Sequence, residues 1–127
     1  MTIELTQRAD LGWVEIIRAR NDQFRTTLVG GAVLMTAGIV ALGEDAQARV
    51  LAAVRAFQDF TDDNDPWGEH DFGALDIDLG TSGQPTTREK VFFKIDYFDL
   101  TRARHSSDPA DPAKTERVMT IMLATEY

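Results

Sequence analysis

The chain has 127 residues, 43% of them hydrophobic, and a formal net charge of −8. That is the common size of one domain, large enough to bury a core without a disulfide or metal staple. It contains no cysteine, which excludes disulfides, thiolate metal sites, iron–sulfur clusters and cysteine nucleophiles.

Residues 1–6 (MTIELT) lack the basic start and apolar run of a secretory signal. The longest mostly apolar stretch, residues 28–42, is broken by Gly30, Gly31 and Gly38 and falls short of the roughly 20 residues a membrane span needs. The expectation is a cytoplasmic protein that does not meet a membrane. Of the 21 acids, 8 lie between Asp59 and Asp78 with no Lys or Arg among them, so 13 remain against the 13 bases elsewhere. The whole charge excess therefore sits in one stretch. It disfavours direct nucleic-acid binding, which needs concentrated Lys and Arg, and favours a cation, a protein with a basic surface or a substrate amine.

Leu11, Val14, Ile17, Asn21, Phe24 and Leu28 recur at spacings of three and four, which predicts an amphipathic helix over residues 7–27. Thr6 or Asp10 is its expected cap and Gly30-Gly31 its stop, with Arg18 and Arg25 on its other sides. Residues 32–36 read as a short buried strand, and Gly38 makes residues 39–42 a second piece or a turn. A helix starts at Gly43-Glu44-Asp45, carries Val50, Leu51, Val54 and Phe57 as its apolar stripe, and is expected to end near residues 60–61.

Residues 62–71 are rich in Asp, Asn, Pro and Gly and read as a loop. Residues 72–79 alternate, with Gly73, Leu75, Ile77 and Leu79 on one face. Residues 90–98 alternate as well, with Val91, Phe93, Ile95 and Tyr97 on one face, and the glycine-bearing segment 80–89 joins the two as a long-looped hairpin. Phe92 and Phe98 suggest that the second face of this strand is partly covered too. Asp111 followed by Pro112 is a helix-start signal, and Val118, Ile121 and Met122 read as the buried side of a last helix. The predicted fold is a single α+β domain over residues 1–127. It has a small antiparallel sheet centred on the hairpin and three helices, in the order α-β-α-β-β-α. Strand order is not readable.

The strings NDPWGEHDFG (residues 64–73), FKIDYFD (93–99), SDPADP (107–112) and MTIMLA (119–124) resemble an uncharacterised alphaproteobacterial domain-of-unknown-function family of short acidic proteins. The resemblance runs from about residue 17 to 127. It implies no established activity and transfers no site residues. It does imply a bacterial protein whose relatives are common on plasmids and other mobile elements as well as on chromosomes, a setting that suits accessory roles such as countering restriction or other host defences.

The acidic loop is the candidate site. Asp63, Asp65 and Glu69 are candidate ligands for a hard cation, with Asp71 and His70 beside them. The spacing departs from a calcium loop. Counted from Asp63, Asp65 and Gly68 fit the third and sixth positions, but Trp67 and Ala74 stand where ligands belong. The bland alternative is a turn-rich loop whose carboxylates accept backbone N–H bonds. Glu69, His70 and Asp96 are the candidate acid–base residues of a small metal-dependent hydrolase, since imidazole titrates near neutrality and a carboxylate can orient it. Lys94 and Asp96, with Asp76 and Asp78 on the paired strand, form either a charged binding face or ordinary cross-strand ion pairs. No phosphate loop, dinucleotide fingerprint or nucleophile elbow occurs, so no cofactor is implied. His105 reads as an exposed loop residue. The apolar run 119–124 leaves a homodimer seam open. The favoured reading is a non-enzymatic, acidic protein-binding module that occupies a basic, nucleic-acid-binding surface of its partner. It would bind through Asp62, Asp63, Asp65, Glu69, His70, Asp71, Asp76, Asp78, Lys94 and Asp96. The metal-dependent hydrolase is the alternative.

Overall fold

A computed structural model describes residues 12–80 and 88–127. The caps expected at Thr6 and Asp10, and most of the hairpin loop, lie outside the described residues. The elements in chain order are α1 (Trp13–Thr27), β1 (Gly31–Met35), a single helical turn α2 (Ala37–Val40), α3 (Glu44–Ala56), β2 (Phe72–Asp78), β3 (Arg88–Phe98), β4 (Glu116–Leu123) and a closing 3-10 turn (Ala124–Glu126). The fold is α+β, as the sequence implies.

Four strands form one mixed sheet in the order β1-β4-β3-β2. β2 and β3 pair antiparallel, with Gly73 opposite Phe93, Leu75 opposite Val91 and Asp76 opposite Lys90, so the expected hairpin is present. β4 runs antiparallel to β3, but β1 runs parallel to β4, so the sheet is not wholly antiparallel.

The largest departure from the sequence reading is β4. Residues expected to form the last helix are extended, and Asp111-Pro112 opens only a turn, in which Lys114 N–H reaches the Asp111 carbonyl at 3.1 Å. The reason is burial on both faces. Met119 and Ile121 face the helices, opposite Ile95 and Phe93, while Val118 and Met122 point the other way and are also buried. An interior strand buried on both sides reads as a continuous apolar run, and three- and four-residue spacings can be picked from it at will. Residues 119–123 of the apolar run 119–124 lie in β4, between β1 and β3.

Smaller corrections have local causes. α1 ends on Leu28, which takes the left-handed conformation (φ 62°) and donates its N–H to the Phe24 carbonyl at 2.7 Å. The Leu28 side chain packs on the core, which offsets the backbone strain that a glycine would avoid. Gly31 belongs to β1, where a side chain would collide with the Arg117 backbone and the Phe24 ring. α3 stops at Ala56 because Phe57 turns extended (ψ 132°) to place its ring in the core.

The core lies between the sheet and the helices. Phe24 of α1, Ile39 of α2 and Val50 and Val54 of α3 meet Val91, Phe93, Ile95, Met119 and Ile121 of the central strands. Phe57 packs edge-on against both Phe60 and Phe93, with centroids 4.8 and 5.4 Å away. Arg25 of α1 is the exception inside this apolar volume. It is 3% exposed, lies over the Phe60 and Phe93 rings, and donates from Nη1 to the Val54 and Arg55 carbonyls, both at 3.1 Å. It thereby caps the C-terminus of α3, where the carbonyls lack helical partners and the dipole favours a cation.

Gly73 is the tightest point of this packing. A Cβ there would enter the Phe93 ring and lie 2.9 Å from Phe57 Cε2. Gly73→Ala is therefore expected to destabilise the protein by about 1–3 kcal/mol through overpacking. The effect reads as a lower urea midpoint at unchanged slope. An unchanged midpoint would mean that Phe93 does not sit against Gly73.

Candidate functional site

After Phe57 the chain crosses from α3 to β2 through residues 58–71. Thr61 and Asn64 bond each other across a turn, and the Asp65 N–H reaches the Thr61 carbonyl at 2.7 Å. Asp65 is buried, and both its carboxylate oxygens accept the His70 N–H at 3.2 Å. Gly68 (φ 71°) and His70 (φ 58°) both take positive φ, so the loop doubles back tightly. Glycine takes that conformation freely, while histidine needs outside help.

The help comes from α1. Arg18 Nε donates to the Gly68 carbonyl at 2.6 Å, Asn21 Nδ2 to the Glu69 carbonyl at 2.9 Å, and Asp22 Oδ1 lies 2.8 Å from His70 Nδ1. Three consecutive loop residues are thus each held by α1. The His70 ring also stacks on Phe60, with centroids 3.8 Å apart and planes within 3°. Asp22 Oδ1 bonds Arg25 Nη2 as well, at 3.1 Å, and so links the loop to the buried arginine.

A second set of bonds joins this loop to the sheet. Asn21 is fully buried. It donates to Tyr97 Oη at 2.7 Å and accepts from Arg117 Nε at 2.8 Å. Tyr97 in turn donates to Glu69 Oε1 at 2.7 Å. Burial and the Glu69 bond push the Tyr97 hydroxyl well above its ordinary pKa, so it stays a neutral donor. Burial, followed by the Glu69 charge, pushes the Asp71 carboxyl up to about 6.

The candidate residues named above therefore separate. Asp65, Glu69, His70 and Asp71 gather around Tyr97 and the end of α1. Glu69 and His70 face different partners, Tyr97 and Asp22. Both His70 ring nitrogens point at carboxylates, Asp22 at 2.8 Å and Asp65 at 3.7 Å. Asp96 belongs to the alternate set of β3 residues, with Phe92, Lys94 and Phe98, and its carboxylate meets Lys94 Nζ at 3.3 Å. Asp62 and Asp63 are exposed loop residues with no ion pair among the described residues. Asp76 stands opposite Lys90 and Asp78 opposite Arg88, so the base facing them is not Lys94, which stands opposite Phe72. Among the described residues, no group of three or more His, Asp or Glu side chains is arranged to hold a metal ion, Asp63, Asp65 and Glu69 included. His105 is exposed but stacks on Phe98 at 5.8 Å.

Sequence reading missed Arg18, Asp22, Arg25 and Arg117 as parts of this site and treated Tyr97 as a plain core residue. One signal was available. Arg18, Asn21, Asp22 and Arg25 follow the i, i+3, i+4, i+7 spacing of a single helix stripe.

A family model described as "Protein of unknown function (DUF3768)" matches residues 35–126, and the chain belongs to that family. The match begins at Met35, later than the residue-17 boundary suggested by the sequence resemblance, so α1 and its stripe precede it. No curated protein and no solved structure matches the chain.

Two outcomes follow from the geometry. Asn21→Ala strands the Glu69 carbonyl and Arg117 Nε and takes from the Tyr97 hydroxyl the bond it accepts, and is expected to cost about 3 kcal/mol in urea unfolding. For Asp71, a folded pKa of about 6 against an ordinary 3.8 means that the folded protein holds this proton more tightly than the unfolded chain. Stability therefore falls as pH climbs through the window from 3.8 to about 6, and the loss is complete above it. Asp71→Asn lacks this titration. Its stability advantage over the parent should grow across the window and level off above it, as measured by urea unfolding at a series of pH values. A difference that is constant with pH would show that Asp71 is not held in this environment.

Proposed function

We propose that this DUF3768 protein is a non-enzymatic protein-binding module that presents Trp67, with a rim of acids, to a partner bearing a basic surface. The observation that carries the reading is Trp67, which is 78% exposed although the three residues after it are each fixed by α1. Burying a large apolar side chain is worth about 1.5–3 kcal/mol, a gain that the free protein forgoes here. Tryptophan is among the commonest binding hot spots, and a loop already held in place loses little entropy on association.

The surroundings suit an interface. Trp13 and Val14 at the start of α1 are also exposed, and Val14 lies on the Gly68 side of the loop, where a Gly68 Cβ would be 3.8 Å from its Cγ1. Asp59, Asp62 and Asp63 are exposed in the same loop. An apolar centre with a charged rim is the usual anatomy of a binding patch, and the rim charges steer the encounter. The basic surface favoured by such a rim is a nucleic-acid-binding one. An acidic bacterial accessory protein of mobile elements, acting in the cytoplasm against restriction or another host defence, would have this character. The hydrolase alternative has less support, because His70 and Asp65 spend their polar atoms on the protein itself.

The test uses the only two tryptophans, Trp13 and Trp67. A Trp13→Phe protein reports on Trp67 alone, and its emission should shift to the blue when a partner captured from the native cell is added. Trp67→Ala should weaken that association at least tenfold without lowering the melting temperature. Asp62→Asn with Asp63→Asn should slow association and flatten its salt dependence. Equal affinity of the Trp67→Ala and parent proteins would remove the reading.

A further inference from the structure

We propose that the cleft between the middle of α1 and the start of β4 is a binding site for a single phosphate group. The cleft has a volume of about 160 Å³ and is lined by Arg20, Gln23 and Phe24 of α1, by Val29 and Gly30 of the turn into β1, and by Pro112 and Arg117. It shares no residue with the Trp67 surface and goes beyond the protein-binding reading.

Arg117 is 3% exposed, yet every acceptor it meets is neutral. Nε donates to the Asn21 amide oxygen at 2.8 Å and Nη2 to the Pro109 carbonyl at 2.5 Å, while the guanidinium lies over the ring of Tyr97. Nη1 has no acceptor among the described residues, and it is not sealed from solvent, since among those residues Arg25 Nε is the one unpartnered side-chain atom that is. The ion pairs of the described residues involve neither Arg117 nor Arg20. Burial pushes the Arg117 pKa down, and the Arg20 charge pushes it the same way, while Tyr97 and Glu69 oppose them. Two cations thus line one cleft, one of them buried with only neutral acceptors. That arrangement costs free energy which an anion recovers.

The chemistry selects the anion. Two guanidinium groups offer forked donors that match the oxygens of a phosphate, and their joint charge balances the roughly −1.5 to −2 that a phosphate monoester carries at pH 7. The Gln23 amide can add a neutral donor. The volume is below the roughly 300 Å³ at which pockets for drug-sized ligands begin, so only the phosphate itself enters. The rest of any phosphate-bearing molecule stays outside.

The deciding experiment titrates the isotope-labelled protein with inorganic phosphate at ionic strength held constant with sodium chloride, followed by amide and arginine Nε–H resonances. Saturable shifts are expected at Gly30, Arg20 and Arg117. Arg20→Gln should raise the dissociation constant about tenfold or more while the melting temperature in chloride stays unchanged. Arg117→Lys also breaks the bonds to Asn21 and Pro109, so Arg20→Gln, on the exposed side, decides. Phenyl phosphate as a second probe separates the sources. Saturation by both probes assigns the site to a phosphate carried on a larger molecule, and saturation by inorganic phosphate alone assigns it to the free anion. Shifts that fail to saturate, or that chloride reproduces, or an unchanged constant in Arg20→Gln, would overturn the proposal.

Discussion

A stripe of four polar side chains on α1 faces inward: Arg18, Asn21, Asp22 and Arg25. A helix face of this kind is normally solvated. Here Asn21 and Arg25 are buried and Arg18 and Asp22 partly so, because other segments leave main-chain carbonyls without partners and three of these side chains reach them. Arg25 takes the last carbonyls of α3, Arg18 takes Gly68, and Asn21 takes Glu69. Desolvating the Arg25 guanidinium is expensive. The cost is offset by two carbonyls, the Asp22 carboxylate and the faces of Phe60 and Phe93, although Nε is left without a partner. Such an arrangement specifies position. An apolar stripe would bury as well but would hold neither the end of α3 nor the turn before β2.

The loop geometry follows from that stripe. Gly68 and His70 adopt positive φ, and His70 does so with its N–H on Asp65, its imidazole on Asp22 and its ring on Phe60. Once these are in place, Glu69 falls against Tyr97 and Asp71 is drawn into a half-buried, acid-rich corner. Trp67 precedes the three residues gripped by α1 and is left in water. The same constraint therefore accounts for the buried network and for the exposed indole. The exposure of Trp67 is a by-product of how tightly its neighbours are held.

Folding also divides the acidic stretch. Eight acids lie together in sequence, but Asp65 is buried against His70, Glu69 and Asp71 surround Tyr97, and Asp76 and Asp78 stand opposite Lys90 and Arg88. Asp59, Asp62 and Asp63 remain as the exposed acids of the loop. Charge along the chain overstates charge on the surface, because sheet register brings bases from twelve or so residues away against the acids of β2.

By itself the sequence determined the α+β class, α1, α3, the β2–β3 hairpin and the loop between α3 and β2. These are local: periodicity, turn residues and alternation lie within one segment and need no distant neighbour. It also pointed to residues 62–71 as the place where polar chemistry gathers. Only the tertiary structure decided that residues 116–123 are a strand, that β1 joins the sheet parallel to β4, and that Lys90 and Arg88 face Asp76 and Asp78. The same holds for the inward turn of Arg25. A strand buried on both faces carries no alternation to read, register is a property of two segments, and a charged residue on a helix looks solvated until the carbonyls it must satisfy arrive from elsewhere in the chain.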